Sequence, residues 1–233
     1  MQLDPENHVY RLDNTTYTSV TTLVHMCFST FDADKILERM KIKGSKYDGM
    51  TKEEIKELWN QNAKDAQQQG TRMHSVVERY YKQEEITDEE KTLPEILQFM
   101  EFVTAHTLTP HGIEWCVHSP TIQLAGTIDF AVANEDGTID LYDWKRSKHM
   151  EMENPYRKYS HVIKTMPDTN YWHYTVQLNL YKYVIEKEYN KKVRDMYLVC
   201  FYPTQTKYEK YKVSDIQVHI PLILEQLKLK QTV

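Results

Sequence analysis

Long apolar segments are missing from this chain of 233 residues. No run of about 18 apolar residues occurs, so a membrane-spanning helix is not expected. The N-terminal stretch MQLDPENHVYRLDN has neither a basic region nor an apolar region and does not read as a secretory signal. Its acidity argues against a mitochondrial presequence. We expect a soluble intracellular protein of the cytoplasm or nucleus, of cellular or viral origin.

Cysteine is also scarce, since Cys27, Cys116 and Cys200 lie far apart in the sequence. An odd and widely spaced set indicates a reducing compartment and no disulfide framework. None of the three belongs to a CxxC pair, so the sequence offers no cysteine clip for a metal ion. Internal repeats and long proline-, glycine- or serine-rich linkers are absent too, which favours a single domain.

Basic residues are outnumbered, with 29 Lys and Arg against 34 Asp and Glu, for a net charge of −5. An acidic total argues against nucleic acid as a partner. The distribution argues otherwise, because residues 1–142 carry a net charge of −11 and residues 143–233 carry +6. The basic second part hints at an anionic ligand. The alternative, that charges fall unevenly on solvated faces, is equally compatible with these counts.

Hydrophobic periodicity and turn signals predict the order of elements. The first part is predicted to hold a hairpin over 9–20 and helices over 32–43, 51–70, 71–82 and from Pro94 onwards. Thr51 and Glu54 form a capping box for the second of these helices, and Gly70 is expected to end it. The rest is predicted to hold strands over 113–118, 122–133, 138–145 and 196–202, and helices over 171–189 and 214–229, the last disturbed by Pro221. This order predicts a mixed α/β sandwich around one sheet.

Two carboxylates on neighbouring predicted strands form the clearest chemical cluster. Asp129 ends the motif Gly-Thr-Ile-Asp on one strand, and Asp143 lies on the next. Because side chains alternate along a strand, Asp143 and Lys145 share one face, while Tyr142 and Trp144 share the other. Two adjacent carboxylates repel and call for a cation or a shared proton, and Mg²⁺ suits such oxygen ligands. The alternative is a surface hairpin with an ordinary ion pair.

Further polar residues lie at helical spacing. His74 and Glu78 are four residues apart, as are Gln177 and Tyr181, and each pair shares a helix face. Taken singly, a helical histidine is usually structural, and the second pair reads as a polar edge of an amphipathic helix. Glu114, on the strand before Asp129, is uninformative by itself.

The joint pattern G-T-x-x-H-x-x-x-E, E, G-T-I-D, D-W-K and Q-L-x-x-Y over residues 70–202 closely resembles the PD-(D/E)XK nuclease superfamily, in its RecB-like branch. The resemblance implies an α/β fold with a restriction-endonuclease-like core, in which helices flank a central mixed β-sheet. Residues 70–233 would form this nuclease core. Residues 1–69 would form an N-terminal hairpin and helical addition packed on it. CRISPR-associated relatives usually carry four cysteines for an iron–sulfur cluster, which three scattered cysteines cannot supply.

The same resemblance implies roles for individual residues. The metal ion would be held by His74, Asp129, Asp143 and the backbone carbonyl of Trp144. Lys145 would be the catalytic lysine, and both aspartates would also serve catalysis. The substrate-positioning residues would be Gln177 and Tyr181, and the supporting residues would be Glu78 and Glu114. The implied cofactor is Mg²⁺, with Mn²⁺ as a substitute because His74 adds a nitrogen ligand.

These roles imply a metal-dependent deoxyribonuclease that leaves 5′-phosphates. The leading hypothesis is an exonuclease acting on DNA ends or single strands in replication, repair or recombination. Arg146 and Lys148, beside the cluster, would contact the DNA backbone, and the loop of residues 149–171 mixes bases with aromatics in a way that suits single strands. The alternatives are an endonuclease on the same scaffold and a non-catalytic nucleic-acid-binding module.

Overall fold

Eight strands form one mixed sheet in the computed structural model, which describes residues 2–4 and 9–230. The strands are β1 (Gln2–Asp4), β2 (Val9–Leu12), β3 (Thr15–Ser19), β4 (Pro110–Ser119), β5 (Leu124–Ala133), β6 (Ile139–Lys145), β7 (Val193–Cys200) and β8 (Glu209–Lys212). The helices are α1 (Val20–Met26), α2 (Ala33–Arg39), α3 (Lys52–Tyr81), α4 (Asp88–Lys91), α5 (Pro94–Ala105), α6 (Asn170–Glu188) and α7 (Ile220–Lys230), and a 3-10 turn covers Gln217–His219. The predicted mixed sheet flanked by helices is confirmed.

The central strand β5 has two different neighbours along one edge. The strand order is β1-β2-β3-β5-β6-β7-β8, and β4 pairs antiparallel with β5 along almost its whole length. Since β4 occupies one edge, β3 and β6 must share the other. There β3 pairs in parallel with Leu124 and Ala125, whereas β6 pairs antiparallel from Phe130 onwards. The segment 126–129 lies between these two pairings.

Helices cover the sheet on both faces. Helices α1, α6 and α7 pack on one face through a large apolar cluster, to which α6 contributes Val176, Leu180, Val184 and Ile185. Helices α3 and α5 cover the other face through an aromatic cluster that includes Trp144. Among the helices of the described part of the chain, none combines the length and apolar character that crossing a bilayer requires.

Helix α3 runs unbroken through Gly70, contrary to the expectation that glycine would end it. A helical glycine costs about 1 kcal/mol relative to alanine. The Thr51–Glu54 capping box and the buried side chains Met73 and Val76 outweigh that cost. The boundary between residues 69 and 70 therefore falls inside a helix, and the division into an addition and a core stays an interpretation.

Other predicted boundaries were wrong in instructive ways. Helix α7 begins only at Ile220, because Pro221 occupies its first turn, where the missing N–H is tolerated, rather than its interior. The helix predicted over 32–43 ends at Arg39. Helix α1 and the short strands β1 and β8 were not predicted. The predicted capping box of Thr51 and Glu54 and the predicted helix start at Pro94 are confirmed.

Candidate active site

The Gly-Thr-Ile-Asp motif lies where the β5 edge changes its neighbour. Among the described residues, 126–129 pair with neither β3 nor β6. At the end of this gap, Asp129 Oδ2 accepts a hydrogen bond from the backbone N–H of Trp144 at 2.8 Å. The carboxylate thus takes the place of a strand carbonyl that the diverging backbone no longer offers. The gap brings the carboxylate of β5 against the backbone of β6.

Gly126 allows an aromatic ring to approach the gap closely. A Cβ atom at this position would lie only 2.5 Å from Cε1 of Tyr181. Tyr181 is buried, and its hydroxyl accepts a hydrogen bond from Nε2 of Gln177 at 3.3 Å. Burial raises the pKa of Tyr181 well above its ordinary value, so it stays protonated. The two predicted positioning residues therefore meet each other at the gap.

Asp143 and Lys145 lie together on one face of β6, as the strand alternation predicts. Lys145 Nζ donates a hydrogen bond to Asp143 Oδ1 at 2.9 Å and lies 2.7 Å from Oδ2. Despite that short distance, the buried Oδ2 atom accepts no well-directed hydrogen bond from the described residues. Burial raises the pKa of Asp143 above its ordinary value, and the Lys145 ammonium group opposes that shift. A buried carboxylate requires a compensating cation, and among the described residues the Lys145 ammonium group beside both oxygens provides it.

Lys145 is held in its charged form. Burial alone would lower its pKa, but the carboxylates of Asp143 and Asp129 outweigh burial and raise the pKa above its ordinary value. Lys145 Nζ also lies over the ring of Tyr174, 4.6 Å from the ring centroid, a cation–π arrangement that favours the ammonium form. Lys145 therefore carries a proton at neutral pH.

His74, Glu114 and Asp129 form a group that could hold a metal ion. One ligand atom from each lies within 4.8 Å of the others, and His74 Nδ1 is 3.6 Å from Asp129 Oδ2. Burial lowers the pKa of His74, and Lys145 adds to that effect while Asp129 and the backbone of Trp144 oppose it. A neutral imidazole is the form that binds metal ions.

Glu114 has an unusual backbone for its residue type. Its φ of 44° is left-handed, and it lies opposite Asp129 between the β4–β5 pairs Ile113–Phe130 and Trp115–Ile128. Burial, together with the neighbouring carboxylates of Asp129 and Glu78, raises its pKa to about 8. Carboxylates facing each other across strands destabilise a sheet, and backbone strain of this kind clusters at functional sites. Sequence reasoning found Glu114 uninformative by itself, yet the structure puts it in the ligand group.

The family model of the PD-(D/E)XK nuclease superfamily matches residues 8–229, nearly the whole chain. The chain belongs to the PD-(D/E)XK nuclease superfamily. The superfamily resemblance and the restriction-endonuclease-like fold class are thereby confirmed. Membership supports nuclease activity on nucleic acid.

Solved structures similar to this chain include the following two. A candidate exonuclease from Eubacterium rectale is 13% identical, with a TM-score of 0.48, and the match covers 99% of this chain and 88% of that one. The protein SSO0001 is 13% identical, with a TM-score of 0.41, and the match covers 95% and 79% of the two chains. No curated protein matches the chain.

PD-(D/E)XK nucleases generally use divalent metal ions, and the residues at the gap fit such an ion. Carboxylate oxygens and one imidazole nitrogen suit Mg²⁺ or Mn²⁺. Asp143 lies outside the three-residue group, because its carboxylate is ion-paired with Lys145, but its Oδ2 atom, which accepts no well-directed hydrogen bond from the described residues, is a further oxygen donor. The predicted ligands therefore divide between a histidine–carboxylate group and a lysine–carboxylate pair.

Of three further predicted residues of the PD-(D/E)XK nuclease, Glu78 and Arg146 lie in surroundings different from those expected, and Lys148 does not. Glu78 forms an ion pair with Lys82 of its own helix. Arg146 Nε donates to Glu95 Oε1 at 2.9 Å, and both side chains are largely buried. Lys148 is exposed to solvent. Of the two predicted DNA contacts, Lys148 alone has an accessible charge, whereas that of Arg146 is already compensated.

Tyr174 was missed by the sequence analysis. Its ring contacts Lys145, and it lies three residues before Gln177 on α6, so the two side chains share a helix face. The three-residue spacing from Gln177 is the sequence feature that could have identified Tyr174. The predicted alternation on β6 also holds on the opposite face, where Tyr142 and Trp144 belong to the aromatic cluster under α3 and α5.

Proposed function

We propose that this nuclease hydrolyses DNA phosphodiester bonds with Mg²⁺, or Mn²⁺ as a substitute, and acts as an exonuclease on DNA ends or single strands in replication, repair or recombination. The observation that carries the proposal is the convergence of the His74, Glu114 and Asp129 group with the Asp143–Lys145 pair at the gap in the β5 edge. Superfamily membership supports the nuclease chemistry.

His74, Glu114 and Asp129 would hold the divalent ion, and Asp143 would offer its Oδ2 atom to the ion while it stays ion-paired with Lys145. Such an ion, when bound, lowers the pKa of water and neutralises charge on a phosphate. The chain contributes the arrangement of the donors. Asp129 is fixed by the backbone of Trp144, and Glu114 by the strained strand β4. The carbonyl of Trp144 is the fourth predicted donor, and its residue lies beside both Asp129 and His74.

Lys145 would stabilise negative charge on the reacting phosphate. Its raised pKa keeps the ammonium group protonated, so it can donate hydrogen bonds to a phosphate oxygen but cannot act as a general base at neutral pH. Preorganised donors aimed at developing charge are a large source of catalysis. Asp143 and Tyr174 hold the ammonium group in position from two sides.

Gln177 and Tyr181 would position the substrate and the lysine through their hydrogen bond beside the gap. Glu78 would support the site only indirectly, since it is paired with Lys82. Lys148 and the net charge of +6 over residues 143–233 would attract the DNA backbone in a salt-dependent way.

The proposal is tested by a nuclease assay on end-labelled single- and double-stranded DNA, covalently closed circular DNA and RNA of matched sequence, with titrations of Mg²⁺ and Mn²⁺. We expect stepwise loss of nucleotides from linear DNA, and no cleavage in the presence of EDTA. Lys145→Ala should abolish cleavage with DNA binding retained, whereas the exposed control Lys91→Ala should leave cleavage unchanged.

Cleavage of the closed circle would replace the exonuclease with an endonuclease on the same scaffold. Binding without cleavage under every metal condition would favour a non-catalytic nucleic-acid-binding module. Preferred degradation of RNA would overturn the assignment to DNA.

A further inference from the structure

A cavity of about 180 Å³ lies between α1 and α6, next to the proposed catalytic lysine. Helix α1 contributes Thr21, Val24 and His25 to its wall. None of these residues belongs to the motifs shared with the superfamily, and α1 itself has no place in the proposed chemistry. We call this space the α1–α6 cavity.

Helix α6 joins the α1–α6 cavity to the active site. Four of its residues line the cavity: Asn170, His173, Tyr174 and Gln177. Tyr174 lies under Nζ of Lys145, and Gln177 hydrogen-bonds Tyr181 beside the gap in β5. The same two side chains therefore face both the cavity and the residues that would hold the reacting phosphate.

The wall of the cavity is held in place by contacts from other segments. His173 Nε2 is 2.8 Å from Asp168 Oδ1, and its ring lies 4.0 Å from the ring of Phe28. The hydroxyl of Ser160 donates to the carbonyl of Cys27 at 2.8 Å, which ties the end of α1 to the loop that precedes α6. The cavity is therefore preformed, and a ligand need not bear the cost of ordering it.

We propose that the α1–α6 cavity binds one unpaired nucleobase of the substrate strand, next to the phosphate that is cleaved; this inference rests on the proposed nuclease function. The rings of Tyr174 and His173 offer surfaces for stacking, and Gln177 retains amide groups that can hydrogen-bond a base edge. No carboxylate lies among the described lining residues. The lining thus differs in chemistry from the acidic metal group a short distance away.

The size of the cavity restricts the substrate. Its volume of about 180 Å³ is below the range of roughly 300–1,000 Å³ typical of pockets for drug-sized ligands, so one base fits and a base pair does not. A base inside it has given up its Watson–Crick partner, which costs least in a strand that is already single. The α1–α6 cavity therefore selects single strands or frayed ends over intact duplex.

The first test uses single-stranded oligonucleotides that carry one abasic tetrahydrofuran residue at successive positions around a defined cleavage site. We expect the wild-type protein to lose about 5- to 150-fold in kcat/KM when the abasic residue falls at one position next to the scissile phosphate. Thr21→Trp, which fills the cavity from α1, should cleave the intact strand more slowly and lose this discrimination. Thr104→Trp, on the exposed face of α5, is the matched control and should retain it.

The second test needs neither metal nor cleavage. Binding of deoxythymidine 5′-monophosphate and of 2-deoxyribose 5-phosphate is measured by calorimetry in EDTA. The nucleotide should bind more tightly than the sugar phosphate to the wild-type and Thr104→Trp proteins, and no more tightly to Thr21→Trp. Equal binding of the two probes to the wild-type protein would overturn the inference, even if Thr21→Trp fails to fold.

The two proposals fail in different ways. Equal cleavage of intact and abasic strands at every position would refute the base-binding cavity and leave the nuclease function standing. If no nucleic acid is cut, the proposed function is wrong, and the nucleotide comparison still decides whether the cavity recognises a base.

Discussion

The backbone N–H of Trp144 donates to the carboxylate of Asp129 across the point where β5 and β6 separate. One oxygen of Asp129 thus performs a structural task, because it satisfies a backbone donor that the strand ladder leaves open. The same oxygen faces His74 at 3.6 Å. The split in the sheet and the proposed metal group therefore depend on one side chain.

This double role predicts that two substitutions of Asp129 have different effects. Asp129→Asn keeps an oxygen that can accept from Trp144 but removes the charge, so folding stability should be nearly unchanged while Mn²⁺ affinity and cleavage are lost. Asp129→Ala also removes the acceptor and should destabilise the metal-free protein by about 1–3 kcal/mol. Urea unfolding in EDTA and calorimetric Mn²⁺ titration measure the two effects. Equal stability of both variants would mean that the hydrogen bond to Trp144 contributes nothing.

The close approach of Tyr181 to Gly126 predicts a strong effect of a single methyl group. Gly126→Ala places a Cβ atom 2.5 Å from the buried ring and should lower the free energy of unfolding by about 1–3 kcal/mol through overpacking. Cleavage should also be lost, because the ring of Tyr181 has to move. Gly70→Ala is the matched control, since its Cβ atom meets nothing within 4 Å and lies inside α3. This control should raise the free energy of unfolding by about 0.5–1 kcal/mol. Thermal unfolding of the two variants measures the expected loss and the expected gain of stability. If Gly126→Ala leaves stability unchanged, the close packing of Tyr181 on Gly126 is contradicted.

Strand periodicity predicted part of this site and could not predict the rest. The shared face of Asp143 and Lys145 follows from the two-residue repeat of β6, which is a local property. The meeting of His74 with Asp129 depends on how α3 crosses the sheet, and the positive φ of Glu114 has no local signal. Only the resemblance to the superfamily linked these distant residues before the structure was known.

Helix α1 and strand β8 were not predicted from the sequence, for different reasons. Helix α1 is rich in β-branched residues that favour strands, but burial of Val20, Leu23 and Val24 overrides that preference. Strand β8 is four polar and aromatic residues at the sheet edge, too short to display alternation. The α1–α6 cavity was therefore beyond the reach of sequence reasoning, because one of its walls is an unpredicted helix.

The raised pKa of Glu114 predicts that rising pH lowers the folding stability of the metal-free protein and strengthens metal binding. Its folded pKa is about 8 against an ordinary value of 4.5, so the folded state retains a proton that the unfolded state has released. The stability from this group is complete below about pH 4.5 and is lost as pH rises through 8. Metal binding requires the carboxylate and should therefore tighten with rising pH.

Urea unfolding in EDTA between pH 5 and 9, repeated with Mn²⁺, measures both trends. Glu114→Gln should flatten the decline in the metal-free protein and weaken Mn²⁺ binding. The exposed control Glu101→Gln should change neither. If stability in EDTA rises from pH 5 to 8 and Glu114→Gln leaves that rise unchanged, Glu114 does not carry the raised pKa.

The different surroundings of Arg146 and Lys148 predict that the two basic residues serve different purposes. Arg146 is paired with the buried Glu95 and stacks on Tyr202, with 5.2 Å between the guanidinium carbon and the ring centroid. Arg146→Ala should leave Glu95 buried without its partner and destabilise the protein by about 3–5 kcal/mol. Lys148→Ala should leave stability unchanged, because its charge is exposed.

Single-strand DNA binding in EDTA should separate the two residues further. A lysine that neutralises one phosphate contributes about 0.7 to the slope of log affinity against log salt concentration, and Lys148→Ala should lower the slope by that amount. Arg146→Gln removes the charge at this position and should keep the salt slope of the wild-type protein even if its stability falls. A slope reduced by Arg146→Gln, with no change for Lys148→Ala, would assign the DNA contact to Arg146 and show that the ion pair with Glu95 opens when DNA binds.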